Sequence, residues 1–323
     1  MTPKRTLIFL FVSLLCVLPV EACAQLIPGP LADLQLQLAA ASAHAPGHVA
    51  LEIKDLTTGA MSAINPNANM PAASTIKIPI MVEVFRQISL GKFDLNRRVT
   101  LMASDRDWGW GDLANARVGS RYSVSQLLTL MITESDNTAA NMLIRLVGRW
   151  NINHTMAALG LTNTRLGDYI RSEGDIRSLR TSPADMVTLL ESMARDQLID
   201  PWSSREMIAL LSGQHHNGLL PVPLPKGLQI AHKTGTLHDT LNDVGIVFLR
   251  STPYIIAVLT THLADLDAGA RFIQNVSKMA YTAFEHLAQA HGEDAPDLSL
   301  GDASASVSAP RPVPTDDWML DSR

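Results

Sequence analysis

Pro71-Ala72-Ala73-Ser74-Thr75-Ile76-Lys77-Ile78-Pro79-Ile80-Met81-Val82-Glu83 (71–83) is where the chain changes character. Upstream of it, Val49 to Leu56 is β-rich, Thr58-Gly59 supplies a turn, and Met61 to Ile64 reads as a second short strand, which is a hairpin signal. From Ser74 the periodicity turns helical and runs to Ile88, closing at Gly91. Further out, Leu31, Leu34 and Leu38 with alanine fillers predict a helix over 31–43. Helical patterns recur at Ser123–Met131 and Thr138–Val147, and again from Ser182-Pro183 to about Ala194. After Pro225 the character reverts. Leu228–Thr234, Asp243–Arg250 and Tyr254–Thr261 are β-rich, and Ala270–Ala290 is a long amphipathic pattern. Strands at both ends with helices between them imply one sheet completed by both ends of the chain: an α/β part over 25–73 and 213–290, and a helical insert over 74–212.

A chain of 323 residues, 46% hydrophobic and 18% charged, can bury a large core without staples. Its 26 Lys and Arg residues are scattered and its net charge is −5, which excludes the basic footprint of a nucleic-acid binder. Lys4 and Arg5 precede an apolar run from Leu7 to Val20, and Ala22-Cys23-Ala24 places small residues where a signal peptidase cuts. Residues 1–24 therefore read as a signal peptide, too short and wrongly flanked for a stable membrane span, and the mature protein is expected to be periplasmic or secreted. A lipid-attached form through Cys23 is an alternative against which Glu21 stands. Cleavage at Ala24 removes both Cys16 and Cys23, and with them disulfides and thiol chemistry. The tail, 291–323, is rich in Asp, Ala, Ser and Pro and reads as disordered.

Three short motifs carry chemistry. In Ser74-Thr75-Ile76-Lys77, a Ser and a Lys three positions apart on a helix share one face, so an amine reaches a hydroxyl that is a weak nucleophile without a base. Such a tetrad occurs about once by chance in a chain of this length, and Ser89-Leu90-Gly91-Lys92 repeats it where a helix is ending. Ser135-Asp136-Asn137, between two helical patterns, offers a hydroxyl to pass a proton and an amide to hold a substrate; it is equally an ordinary turn or cap. Lys233-Thr234-Gly235-Thr236, on a predicted strand, offers a cation and hydroxyls for a carboxylate, a glycine for close approach, and an amide at Thr236 to join that of Ser74 around an oxyanion; by itself it is an edge strand with a solvated Lys.

In this order, with these structural contexts, the set resembles the class A β-lactamases and penicillin-binding proteins, over about Leu31 to Ala290. The resemblance implies an α+β fold: an antiparallel sheet flanked by helices and joined to an all-helical domain, with the site at the junction. It implies a serine β-lactamase acting through an acyl-enzyme on Ser74. Lys77 would serve as general base or tune it, Ser135 would protonate the leaving nitrogen, Asn137 would orient the substrate, and Lys233 with Thr234 would hold its carboxylate. Substrates would be β-lactams or peptidoglycan-like small molecules, the protein a monomer, and no cofactor or metal is called for. His215-His216, His232 and His238 match no His-x-x-x-His ligand spacing.

There are departures. Class A enzymes carry a Glu, with an Asn a few residues on, in the loop after Ser-Asp-Asn. Here the loop from Thr164 to Pro183 is about four residues short, and Tyr169-Ile170-Arg171 stands where the Glu is expected. Glu173 is the first candidate for a displaced base, with Asp168 and Asp175 behind it. Asp243 stands in the neighbourhood where an Arg would assist the substrate carboxylate. Trp108 and Trp110, in Trp108-Gly109-Trp110-Gly111, fall where the family has a cleft-edge aromatic, and core anchoring of that loop is the competing expectation. Two rival functions remain: a D-alanyl-D-alanine peptidase or esterase that deacylates β-lactams slowly, and a β-lactam sensor that stays acylated.

Overall fold

A computed structural model describes residues 29–172 and 178–291. The expected signal peptide over 1–24, the tail beyond 291, Glu173 and Asp175 lie outside the described residues. Helix α1 (Gly29–Ala43) leads into β1 (His48–Asp55) and β2 (Met61–Ile64), joined by the expected turn, and then into the two-residue β3 (Met70–Pro71). A 3-10 turn, Ala73–Ile76, runs directly into α2 (Lys77–Ser89). The helical part continues through a short ribbon, β4 (Arg98–Thr100) with β5 (Arg121–Ser123), into α3 (Val124–Thr133), α4 (Asn137–Val147) and α5 (Arg149–Ala158). Short strands β6 (Arg165–Leu166) and β7 (Leu179–Thr181) precede α6 (Pro183–Ala194) and α7 (Pro201–Ser212). Strands β8 (Ile230–Leu237), β9 (Thr240–Val247) and β10 (Tyr254–Thr261) and helix α8 (Leu266–His291) close the chain.

The main sheet is antiparallel throughout, in the order β2-β1-β10-β9-β8. Side chains alternate between the faces of a strand, and β10 shows the result. Tyr254, Ile256 and Val258 pack with Leu31, Leu34 and Leu38 of α1 and Phe284 of α8. Ile255, Ala257 and Leu259 join the core of the helical part. A strand covered on both faces reads as an unbroken apolar run, which is why 254–261 shows no polar alternation. The expected α+β architecture is the one observed.

Helix α2 passes through the middle of the helical part against α4, α5 and α7. It is apolar around its circumference, with Ile78, Ile80, Met81, Val82 and Val84 all fully buried, as a helix with no solvent face must be. Its one buried carboxylate, Glu83, accepts from Arg86 Nε at 2.7 Å, Gln87 Nε2 at 2.6 Å and Thr155 Oγ1 at 2.6 Å, so the charge is paired where it is buried. Because α2 is internal, the lysine of its first turn is carried inside with it.

Some elements differ from expectation. β8 and β9 lie at 230–237 and 240–247 rather than 228–234 and 243–250, because the chain turns tightly at His238-Asp239. Helix α5 was not anticipated: only Ile152, Thr155 and Met156 are buried along it, too sparse a stripe to show as periodicity. Helix α7 was also missed, although Asp200 caps it by accepting from the Ser203 amide and Pro201 stands in its first turn.

Candidate active site

Three segments meet where the edge of β8 faces the start of α2. The 3-10 turn brings Ser74, half-buried, beside Lys77, wholly buried. The residue before Ser74, Ala73, has φ 47°, and Ser135, before the first turn of α4, has φ 58°. Left-handed backbone at a residue with a side chain costs about 1–3 kcal/mol and persists only where the surroundings fix it. Asp136 does part of that fixing: its Oδ1 accepts from the Ala139 amide at 2.7 Å and its Oδ2 from the Leu113 amide at 2.8 Å. Asn137 is the first residue of α4 rather than a loop residue.

Lys77 Nζ donates to the Ser135 carbonyl at 2.5 Å and to Asn137 Oδ1 at 2.7 Å, and stands 3.1 Å from Ser135 Oγ and 3.2 Å from Ser74 Oγ. Burial pushes its pKa well below that of a free lysine, and the charge of Lys233 pushes the same way; Asp136 and Asp107 oppose them. A neutral amine in this position can accept the hydroxyl proton of Ser74. Ser135 Oγ is shared: Lys233 Nζ donates to it at 3.1 Å and also to the Thr234 carbonyl at 3.1 Å. Lys233 is not a solvated edge lysine, since it is wholly buried, and burial lowers its pKa to about 7 against the opposing pull of Asp243. One hydroxyl thus sits between two amines, and can hand a proton on.

Gly235 lets β8 press against the Ser74 turn. A Cβ there would lie 3.0 Å from Ala73 Cβ and 3.1 Å from the Ser74 nitrogen, tighter than packing allows without movement. β8 is an edge strand, so its outward N–H and C=O groups are left unpaired by the sheet. Ser74, Ser135, Asn137, Thr234 and Thr236 line one cleft, with Trp110 at its rim.

The remaining sequence candidates divide. Trp110 meets the ring of His216 edge-on at 5.6 Å across the mouth of the cleft. Trp108 neither lines the cleft nor anchors a core: it is 67% exposed, with the Arg106 guanidinium 5.5 Å over its ring. Asp168 is turned outward and pairs with Arg149 at 3.7 Å, with 68% of its side chain exposed, so it is no base for this site. Asp243 stands opposite Thr234 across the β8–β9 pair, but its carboxylate is engaged below the cleft lining, accepting from His232 Nδ1 at 2.9 Å and from the Leu220 amide at 3.1 Å.

Two residues, Asn141 and Asp107, escaped the sequence reading, and Ile170 entered it only as part of the segment standing where the Glu is expected. Ile170 lines the cleft and presents an alkyl side chain there. Asn141 holds it, donating to the Ile170 carbonyl at 2.9 Å and accepting from the Ile170 amide at 2.8 Å. Asn141 lies one helical turn after Asn137 on the same face of α4, a spacing that points to it once α4 is placed. Asp107 is buried and accepts from Asn137 Nδ2 at 2.8 Å; no sequence pattern singles it out.

The model of the β-lactamase enzyme family matches residues 33–284, which spans both layers and all three motifs. The chain belongs to the β-lactamase enzyme family. Among solved structures, PBP-A is 32% identical over 79% of this chain and 96% of its own, with a TM-score of 0.74. A β-lactamase from Sphaerobacter thermophilus is 30% identical over 79% and 97%, with a TM-score of 0.73. An ancestral class A β-lactamase is 27% identical over 77% and 99%, with a TM-score of 0.70. Membership of the β-lactamase family, with these neighbours, supports a hydrolase acting on β-lactams.

Proposed function

We propose that this β-lactamase-family protein opens the β-lactam amide by forming an acyl-enzyme on Ser74, after export to the periplasm or the exterior. The observation that carries the reading is Lys77, fully buried and with its pKa well lowered, in hydrogen-bond reach of the hydroxyls of both Ser74 and Ser135. In the proposed course, neutral Lys77 takes the Ser74 proton while Oγ attacks the ring carbonyl. The amides of Ser74 and Thr236 would receive the developing oxyanion, and Ser135 would protonate the leaving nitrogen, drawing on Lys77 for its replacement proton. Lys233 and Thr234 would hold the substrate carboxylate. No metal or redox group enters these steps.

Mass spectrometry of the mature protein mixed with a penicillin, with absorbance turnover of a chromogenic cephalosporin alongside, tests this. Drug mass on the peptide containing Ser74 together with turnover is expected. Turnover with no adduct at any time, even in rapidly quenched samples, would sink the acyl-serine route.

Ile170 favours a second reading. Acylation is fully equipped, but among the described residues no carboxylate lines the cleft where hydrolysis of the ester would need a base. A D-alanyl-D-alanine peptidase or penicillin-binding protein with slow β-lactam release fits that cleft. Release of D-alanine from a peptide with little lactam turnover selects it. A point mutant of PBP-A has been solved as an acyl-enzyme with penicillin G.

The pH dependence follows from Lys233. Its ammonium is present below about 7 and lost above it, so kcat/KM for an anionic substrate should fall as pH rises through about 7. Lys233→Arg keeps its charge at every working pH. The falling limb should move up by more than one pH unit in this variant, read from kcat/KM profiles of the two proteins; an unmoved limb would remove Lys233 from carboxylate binding.

A further inference from the structure

The amide of Asn137 faces two ways. Oδ1 accepts from Lys77 at 2.7 Å, and Nδ2 donates to Asp107 Oδ1 at 2.8 Å. The two ends of an amide have nearly the same shape, so a flip exchanges donor for acceptor at little steric cost. While Lys77 is an ammonium it can only donate, and it selects Oδ1. A neutral amine carries a lone pair and can accept a hydrogen bond, so from the Lys77 side the flipped amide becomes acceptable at the moment the base is in its active form. The opposite side has no such freedom, because an ionised carboxylate only accepts.

Asp107 is built to remain that carboxylate. Burial acts to raise its pKa, but the hydrogen bonds it receives prevail and hold it below the ordinary carboxylate value. Oδ1 accepts from Ser172 Oγ at 2.5 Å and from the Gly109 amide at 3.1 Å besides Asn137, and Oδ2 accepts from the Ser172 amide at 2.7 Å. Ser172 and Gly109 belong to the two loops that flank the cleft, and both line it. They approach so closely that a Cβ on Gly109 would fall 1.5 Å from Ser172 Oγ. Three walls of the site therefore converge on one carboxylate.

We propose that Asp107 is a positioning residue that locks the Asn137 amide with Oδ1 toward Lys77 in both protonation states of the lysine, leaving the second Nδ2 hydrogen for the amide carbonyl of an acylating substrate. This rests on the acyl-serine reading above. Asp107 acts through Asn137 and touches no reacting atom. Its charge has a separate effect: the groups facing Lys77 are Lys233, which lowers its pKa, and Asp136 and Asp107, which raise it.

The test compares Asp107→Ala and Asp107→Asn with the parent, in the full mature protein, by the second-order rate of penicillin adduct formation on Ser74 from pH 5 to 10. Thermal melting is recorded for each. Asp107→Ala frees the flip and should lose about 100-fold in acylation, most of it at the alkaline end where Lys77 is neutral. Asp107→Asn keeps an acceptor oxygen and should lose less. With the anion gone, its rising limb should move to lower pH. A loss uniform across pH in both variants, matched by lowered melting temperatures, would reduce Asp107 to a structural role and overturn the proposal. Folded variants that acylate within about threefold of the parent would overturn it as well. If parent and variants alike gain no drug mass, the acyl-serine reading itself has failed, a different signature from either.

Discussion

Lys77→Met should form the Ser74 adduct about 1,000-fold more slowly than the parent, within the range of roughly 10²–10⁴ that a positioned general base contributes. Methionine is close to lysine in length and keeps the packing of the first turn of α2, so the substitution isolates the amine. Its removal leaves the Ser135 carbonyl and Asn137 Oδ1 without the donor they share. Each orphaned acceptor costs about 1–3 kcal/mol. Against that, the variant no longer has to bury an amine, so the fold is expected to hold. The measurement is the rate of drug-mass uptake with the melting curve alongside. A folded Lys77→Met protein that acylates within a few-fold of the parent would show that the Ser74 proton leaves by another route.

The second large effect runs the opposite way. Ile170→Glu should shorten the lifetime of the β-lactam adduct by about 100-fold, since it sets a carboxylate on the wall of the cleft that an alkyl side chain now occupies. Ile170 is 8% exposed and its backbone is held on both sides by Asn141, so the new side chain would project from a fixed point. Burial should raise its pKa toward the range useful to a base near neutral pH, at a stability cost of about 1–3 kcal/mol for the poorly solvated group. Acylation should change little, because Lys77, Ser135 and Lys233 are untouched. Adduct decay followed by mass, as a function of pH, reports both points. A folded variant whose adduct persists as long as the parent's would mean that position 170 does not see the ester.

Much of this site was legible because its chemistry is local in sequence. Ser74 and Lys77 are one turn apart, Ser135 and Asn137 two residues apart, and Lys233 to Thr236 consecutive, so each group keeps its spacing however the rest folds. What was not legible depends on where distant segments cross. Nothing in Lys233-Thr234-Gly235 says that its lysine is buried; that follows from β8 packing against the Ala73–Ile76 turn that precedes α2. Trp108 and Trp110 looked equivalent, yet residues two apart across a glycine in a loop need not share a side, and only Trp110 reaches the cleft. Asp107 meets Asn137 across 30 positions of chain, through irregular backbone with no period to read. The carboxylate sought near Ile170 illustrates the same limit: Asp168 has the right chemistry and is drawn outward toward Arg149. The sheet was called from its apolar runs. Its strand limits slipped at His238-Asp239 because a two-residue turn leaves little polar sequence to mark it.

The open edge of β8 has a consequence for the protein's life outside catalysis. Unpaired strand edges are where chains join one another into aggregates, and proteins ordinarily disarm them with a proline, an outward lysine or a bulge. None of these is available here, since each would intrude on the cleft that the edge borders, and the lysine of this strand points inward. Protection has to come from elsewhere. The Ala73–Ile76 turn shields part of the edge, and the net charge of −5 keeps like molecules apart. Solubility in this protein is thus delegated to parts of the surface that do no chemistry, and substitutions there that neutralise acidic residues can be silent for turnover while shortening shelf life.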